Sequence, residues 1–229
     1  MLQPFGDDIW IADGVGTEVA GFRYPTRMVV IRLSRAALFI CSPVALSDEN
    51  RAGVDALGRV GYLVAPNALH HLHLLEWSRA YPGARVYAPP GLRKKRKDIQ
   101  FDADLDDEPA RDWAGEIDQA LVRGNLITTE VAFFHRKSGA LILTDLIQHF
   151  SPGWFTGWRA VIARVDLMTS RAPEVPRKFR YAFIDRRAAR AALRRILAWP
   201  VTKVLMAHAP PVETDGAAFV ARAFRWLLD

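Results

Sequence analysis

Apolar runs broken by short polar segments fill the first third of the chain and predict β-strands. The runs cover residues 9–11, 27–32, 37–41 and 61–65. Asp13-Gly14 is a turn signal after the first run, and the polar stretch between the second and third runs predicts a hairpin. Residues 48–57 have helical spacing, with Ser47 as the candidate N-cap.

A strand–helix–strand unit is predicted next. The strand over 61–65 ends at Pro66, residues 71–81 predict a helix closed by Pro82-Gly83, and residues 84–88 predict another strand. This order is typical of a crossover between parallel strands.

The second half of the chain shows the same order of elements. A hairpin is predicted first, then a helix, a strand and a closing helix, over residues 126–134, 140–144, 188–199, 201–206 and 217–228. Strands followed by strand–helix units in both halves predict an α+β protein with two sheets covered by helices. No linker rich in glycine or serine divides the halves, so we expect one domain, 1–229, built from two pseudo-halves of about 1–115 and 116–229.

Composition indicates an ordinary folded protein. Of the 229 residues, 50% are apolar and 24% are charged, and no run approaches the roughly 18 apolar residues of a membrane helix. The first residues lack the basic and apolar regions of a secretory signal, and Cys41 is the single cysteine. We therefore expect a cytoplasmic protein without a membrane span.

The formal charge of +6 is concentrated in two clusters, residues 93–97 and the arginines of 186–195. Basic clusters attract nucleic acid, but they also form the solvated face of many helices. No base-reading or aromatic-interleaved motif accompanies them, so a nucleic-acid partner is not expected.

Residues of the types that bind metals follow the ends of predicted strands in three places. His70 and His71 follow the strand over 61–65, Asp145 follows the strand over 140–144, and His208 follows the strand over 201–206. Loops at strand ends commonly present functional groups. Imidazole and carboxylate are ligands of zinc, iron and manganese. Each residue alone has an ordinary structural explanation, and the pattern does not establish that they meet.

In this order of elements and ligands the chain resembles the metallo-β-lactamase fold superfamily over nearly its whole length. More closely, it resembles an uncharacterised branch, a domain of unknown function, with a His-His motif in place of His-x-His-x-Asp-His. The motifs that carry the resemblance are Pro66-Asn67, His70-His71, Tyr87-Ala-Pro-Pro-Gly-Leu92 and Leu143-Thr-Asp-Leu146. The resemblance implies a four-layer αββα sandwich with a metal site at one edge of the two sheets.

The superfamily's histidine signature is only partly matched. When its first position is set at Pro66, Ala68 falls on the second histidine, His70 on the aspartate and His71 on the last histidine. On this register one of the two metal sites of the superfamily has lost its ligands.

The remaining ligands of the superfamily lie far along the chain. Asp145 matches the aspartate that ordinarily bridges two metals, and His208 matches the last histidine. The histidine expected between them is absent, and Asn125 is its nearest counterpart. The resemblance therefore implies one metal site with four ligands, His70, His71, Asp145 and His208, holding zinc or else iron or manganese.

A rival register starts at His71-x-His73 and places Leu75 and Glu76 on the Asp-His pair. It is disfavoured because it requires ligands inside the predicted helix. His73 then remains as a group beside the ligands or facing the substrate.

These features favour a mononuclear hydrolase that uses a metal-bound water on a small ester, thioester or phosphoester. Asp145 would orient or deprotonate the water, Asn67 would assist an oxyanion, and His73 would contact the substrate. The alternative is a non-catalytic member of the fold that binds a metal or metabolite, and the missing histidines support it. A nucleic-acid processing enzyme is the third hypothesis and rests on the basic clusters alone.

The partner expected on either main hypothesis is a small molecule, and self-association of the chain stays open. Trp154, Phe155 and Trp158 follow Asp145 closely. They predict either a wall of the substrate pocket or a lid or oligomer contact packed over the sheet edge.

Overall fold

Two β-sheets form the middle of the computed structural model, which describes residues 1–229. The first sheet has seven strands in sequence order: β1 (Gln3–Gly6), β2 (Ile9–Val19), β3 (Phe22–Arg32), β4 (Ala37–Cys41), β5 (Arg59–Val64), β6 (Arg85–Ala88) and β7 (Ala103–Asp104). The second sheet has four strands: β8 (Ile117–Val122), β9 (Glu130–His135), β10 (Ala140–Gln148) and β11 (Lys203–His208), in the order β11-β10-β9-β8.

Eight helices complete the fold. They are α1 (Asp48–Leu57), α2 (Leu74–Ala80), α3 (Leu92–Lys95), α4 (Trp158–Val165), α5 (Arg177–Ala182), α6 (Arg186–Leu197), α7 (Gly216–Ala223) and α8 (Arg225–Leu228). None of them is both long and apolar enough to cross a lipid bilayer.

Three large apolar cores define the order of the layers. One core joins the outer face of the first sheet to α1, α2 and α3, through residues such as Val54 and Trp77. The second lies between the sheets, where Phe39 meets Phe133. The third packs α5 to α8 on the outer face of the second sheet. The molecule is therefore an αββα sandwich, as expected.

Several predicted elements are confirmed. β3 and β4 pair antiparallel, and β4, β5 and β6 pair in parallel. The helix α1 has the predicted bounds, and the Ser47 hydroxyl accepts a hydrogen bond from the Asn50 N–H (3.1 Å). Such a side-chain acceptor satisfies one of the free N–H groups at a helix start.

The turn predicted at Asp13-Gly14 is wrong. Both residues lie inside β2, where they pair with Arg27 and Thr26 of β3. The true turn is at Ala20-Gly21, where both φ angles are positive (50° and 79°), as in tight hairpins. Gly14 is needed in the strand for another reason, since a Cβ there would lie 2.5 Å from Thr26 Oγ1.

Candidate metal centre

Three ligand-type side chains meet at one edge of the two sheets. His70 lies in the loop after β5 of the first sheet, whereas Asp145 lies within β10 and His208 at the end of β11, both in the second sheet. β10 and β11 are parallel neighbours, and β5 ends on the facing sheet. The three residues therefore meet at the edge between the sheets, although His70 and His208 are 138 positions apart in the sequence.

The distances within this group are short. His70 Nε2 lies 3.2 Å from His208 Nε2 and 3.3 Å from Asp145 Oδ2, and His208 Nε2 lies 3.3 Å from Asp145 Oδ1. One ligand atom from each residue lies within 4.8 Å of the others. Such an N₂O set, opening on a cavity, has the composition of metal sites that keep a coordination position for a substrate.

The other imidazole nitrogens of the group are occupied. His208 Nδ1 donates to the Pro25 carbonyl oxygen (2.7 Å), so its Nε2 carries the lone pair when the ring is neutral. His70 Nδ1 lies 2.8 Å from Ser42 Oγ. Hydrogen bonds of this kind orient metal-binding histidines, and both Nε2 atoms face the centre of the group as a bound ion requires.

Asn67 holds two of the candidate ligands in place. Its Oδ1 accepts hydrogen bonds from the N–H groups of Leu69 (2.8 Å) and His70 (2.9 Å), which fixes the loop after β5. Its Nδ2 donates to Asp145 Oδ2 (2.7 Å) and has two further acceptors for its second hydrogen, Thr144 Oγ1 (3.0 Å) and Glu130 Oε2 (3.2 Å). Because Asn67 is fully buried and its donors are committed, it is not free to assist an oxyanion, and that expectation is wrong.

Glu130 forms the floor beneath Asp145. Its carboxylate accepts from the Thr144 N–H (2.8 Å), the Thr144 hydroxyl (2.8 Å) and the Asp145 N–H (2.7 Å), with none of the residue exposed. These bonds fix the backbone of β10 where the ligand emerges. Glu130 was not among the predicted site residues, and its one signal was a lone charge inside an apolar strand.

Burial and mutual charge shift the titration of the group. Burial raises the pKa of Glu130, and the Asp145 carboxylate raises it further. Burial opposes ionisation of Asp145 too, but His70 and His208 hold its pKa below the usual range. Burial lowers the pKa of His208, whereas Asp145 and Glu130 outweigh burial and raise the pKa of His70. An ionised Asp145 of low basicity is better suited to bind a cation than to take up a proton.

His71 does not join the group, which corrects the four-ligand set expected above. Its Nδ1 lies 2.8 Å from Nη1 of Arg96, which must be the donor because a guanidinium has no acceptor. Burial, together with Lys95 and Arg96, lowers the pKa of His71 to about 4. A neutral ring whose Nδ1 accepts from Arg96 carries its proton on Nε2, so neither nitrogen offers a lone pair to a metal.

His73 lies at the mouth of the site rather than among the ligands. It is the residue that precedes α2, and its Nδ1 is 3.3 Å from the Glu76 carboxylate. Glu76 lies inside α2, so the rival register would need ligands on a helix. The side chain of His73 lines the cavity next to the group, where it can meet a substrate.

The aromatic stretch after Asp145 does not line this cavity. Phe155 packs against Phe22 near the tip of the β2–β3 hairpin, and Trp154 donates to the Arg23 carbonyl oxygen (2.9 Å). Trp158 also packs edge-to-face against Phe22. The stretch braces the hairpin, and Phe22 is the residue that reaches the cavity wall.

Ser42 is a second site residue that the sequence interpretation missed. It directly follows β4 with a φ of 54°, a conformation that residues with a side chain rarely adopt. This backbone places its hydroxyl beside His70. Strained residues of this kind concentrate at functional sites.

Comparison with solved structures defines the class of fold. A metallo-β-lactamase from Pontibacter korlensis matches with a TM-score of 0.66 at 11% identity, over 98% of both chains. The metallo-β-lactamase FIM-1 from Pseudomonas aeruginosa, in its mono-zinc form, matches with 0.65 at 11% identity, over 100% of this chain and 96% of the other. A metal-soaked Flv1 flavodiiron core from Synechocystis matches with 0.64 at 15% identity, over 100% of this chain and 60% of the other. The protein has the metallo-β-lactamase fold.

Within this fold, one family model identifies the chain. Residues 6–156 match the model described as domain of unknown function DUF4336, and the chain belongs to that family. A search of curated proteins found no match.

Proposed function

We propose that the protein is a hydrolase that depends on a single divalent metal ion, with zinc as the first choice and iron or manganese as alternatives. The observation that carries the proposal is the convergence of His70 Nε2, His208 Nε2 and the Asp145 carboxylate at the inner end of a cavity. The expected substrates are small esters, thioesters or phosphoesters. The unpaired, buried Cys41 is consistent with work in the cytoplasm.

The proposal assigns a separate role to each group of side chains at the site. His70, His208 and Asp145 hold the ion, Asn67 and Glu130 fix Asp145, and a substrate occupies the cavity. When bound, a divalent ion supplies Lewis acidity, which lowers the pKa of water and polarises a carbonyl or phosphoryl oxygen. The mono-zinc form of the structurally similar lactamase makes one ion a reasonable stoichiometry for this fold.

Metal content tests the ligand assignment. Protein purified without a histidine tag should contain about one ion per chain by elemental analysis, as the ligand set of a single site requires. His70→Ala and His208→Ala should lose it, because each removes one of the ligand atoms. His71→Ala and His73→Ala are the matched controls and should retain it. Loss of metal in His71→Ala equal to that in His208→Ala would refute the three-ligand set.

Hydrolysis is tested separately with p-nitrophenyl acetate, a thioester and bis(p-nitrophenyl) phosphate. The proposal expects turnover that disappears with a chelator, returns with zinc and is absent in His208→Ala. Metal-loaded protein that turns over none of the three substrate classes would contradict it.

A second candidate function is metal-dependent binding without turnover. It is favoured by the surroundings of the group, where Glu130 is fully buried beneath Asp145 and His71 is held by Arg96. Neither Glu130 nor His71 is therefore free to act as a general base beside the three ligands. This candidate predicts saturable metabolite binding by the zinc-loaded protein in the absence of any hydrolysis.

A further inference from the structure

A cavity of about 670 Å³ extends outward from the candidate metal centre. Its volume lies within the range typical of small-molecule sites, about 300–1,000 Å³. His70, Asp145 and His208 form its inner end. A substrate that reaches the metal centre must therefore lie along the walls of this cavity.

The walls and rim of the cavity are rich in apolar side chains. They come from four separate segments: the tip of the β2–β3 hairpin, the loop after β5, the segment between β8 and β9, and α4. The residues are Val19, Phe22, Leu69, Leu72, Ile127 and Ile162. Five of these six residues are more than a third exposed. Contiguous apolar patches of this kind are uncommon on protein surfaces that face only water.

Besides Asp145, four charged side chains line the cavity: Glu18, Lys95, Asp166 and Lys178. The Lys178 ammonium lies 3.1 Å from the Asp166 carboxylate, so the two charges offset each other. Lys95, which donates to the Ala68 carbonyl oxygen (2.8 Å), and Glu18 have no ion pair, but both are exposed residues at the rim. A polar group is therefore best accommodated at the inner end, beside the ligands and Lys178, and an apolar group along the wall.

We propose that the substrate is a fatty-acyl ester or thioester whose chain lies along this wall and whose carbonyl reaches the metal centre. The proposal rests on the hydrolytic function proposed above. In the reaction, water forms a new bond to the acyl carbon and the acyl C–O or C–S bond breaks. A carboxylic acid and an alcohol or thiol are released, without oxidation or reduction.

Chain length provides a test that does not depend on turnover. Calorimetric titration with butanoate and dodecanoate, kept below micelle-forming concentrations, measures how much each added methylene contributes. One fully buried methylene contributes about 0.8 kcal/mol, or about fourfold in affinity, so dodecanoate should bind at least about 100-fold more tightly. The difference should persist with a chelator present, because it arises at the wall.

Two neighbouring residues of α4 provide a matched pair of variants. Ile162 lines the cavity and is 45% exposed, whereas Val161 is 63% exposed and does not line it. Both are partly open to solvent, so a polar side chain should not unfold the protein. Ile162→Asn should weaken dodecanoate binding at least tenfold and leave butanoate unchanged, and Val161→Asn should change neither. Ile127→Asn, on another segment of the wall, should behave like Ile162→Asn.

The outcomes separate this proposal from the hydrolytic one. If affinity rises with acyl chain length in a protein that binds no metal and shows no turnover, the acyl site is supported and the hydrolytic function is refuted. Equal affinity for the two acids, or equal effects of the two α4 variants, would overturn the acyl site whatever the enzyme activity. Binding to phosphatidylglycerol vesicles that depends on Val161, with dodecanoate binding indifferent to Ile162, would assign the apolar rim to a membrane surface and also overturn it.

Discussion

Replacing Asn67 by alanine should cost far more stability than replacing Asn125, although both are buried and both close the same kind of turn. Each Oδ1 accepts two backbone N–H groups two and three residues ahead. The Asn125 amide donates a hydrogen bond to the neutral Phe179 carbonyl oxygen (2.9 Å). The Asn67 amide instead donates hydrogen bonds to the carboxylates of Asp145 and Glu130. Neutral hydrogen bonds contribute about 1 kcal/mol each and those to charged groups about 1.5–3 kcal/mol. Taken at the lower values, we expect a loss of about 3 kcal/mol for Asn125→Ala and about 5 kcal/mol for Asn67→Ala.

Urea unfolding followed by tryptophan fluorescence at pH 7, with a chelator present to exclude metal linkage, measures both losses. The informative quantity is the difference of about 2 kcal/mol, since the turn contribution cancels between the variants. Equal losses would refute the view that the Asn67 amide stabilises two buried carboxylates. In the same variant the affinity for zinc should fall by about 10- to 100-fold, because Asp145 loses a partner that orients it.

Other changes test the fold around the site. Gly124→Ala should cost about 2–4 kcal/mol, because φ is +86° and the new Cβ would lie 2.4 Å from the Asp185 carbonyl oxygen. Gly115→Ala has a similar φ but open space, and should cost only about 1–2 kcal/mol in the same urea assay. Ser47→Ala should cost about 1 kcal/mol by loss of the α1 cap, which circular dichroism during urea unfolding can measure. Burial lowers the pKa of His135 in the folded state below the ordinary histidine value of about 6.5. Below that pH the unfolded chain binds more protons than the folded one, so stability should fall as pH falls through that region. His135→Gln should reduce the slope of unfolding free energy against pH between 5 and 7, and an unchanged slope would contradict this account.

Local patterns in the sequence predicted much of the fold. The bounds of α1 and its Ser47 cap follow from helical spacing and one hydroxyl, both of which act within a few residues. The β3–β4 hairpin likewise joins neighbouring segments. By contrast, the turn signal at Asp13-Gly14 was overridden by pairing with β3, which no local signal encodes.

The candidate site was predictable only where an ordinary strand end carried an unusual residue. His70, Asp145 and His208 were singled out in this way, and the structure brings the three side chains together, although β10 runs past Asp145 to Gln148. Adjacent histidines, however, look alike in sequence. The choice between His70 and His71 depends on Arg96, whose guanidinium reaches His71 from 25 residues away. Such distant contacts decide which ring faces the centre, and a single sequence does not reveal them.

The charges at the site favour one metal ion over two. Asp145 is ionised, whereas burial and Asp145 raise the pKa of Glu130, so the buried network carries between one and two negative charges. With His70 and His208 neutral as ligands, a single divalent ion is enough to balance them. A second ion would leave an excess of at least two positive charges at the inner end of the cavity. The position between the carboxylates is already filled by the Asn67 amide, which offers hydrogens rather than lone pairs. The asparagine therefore occupies the place beside Glu130 that a second ion would need, and one ion per chain is the stoichiometry that the proposed function predicts.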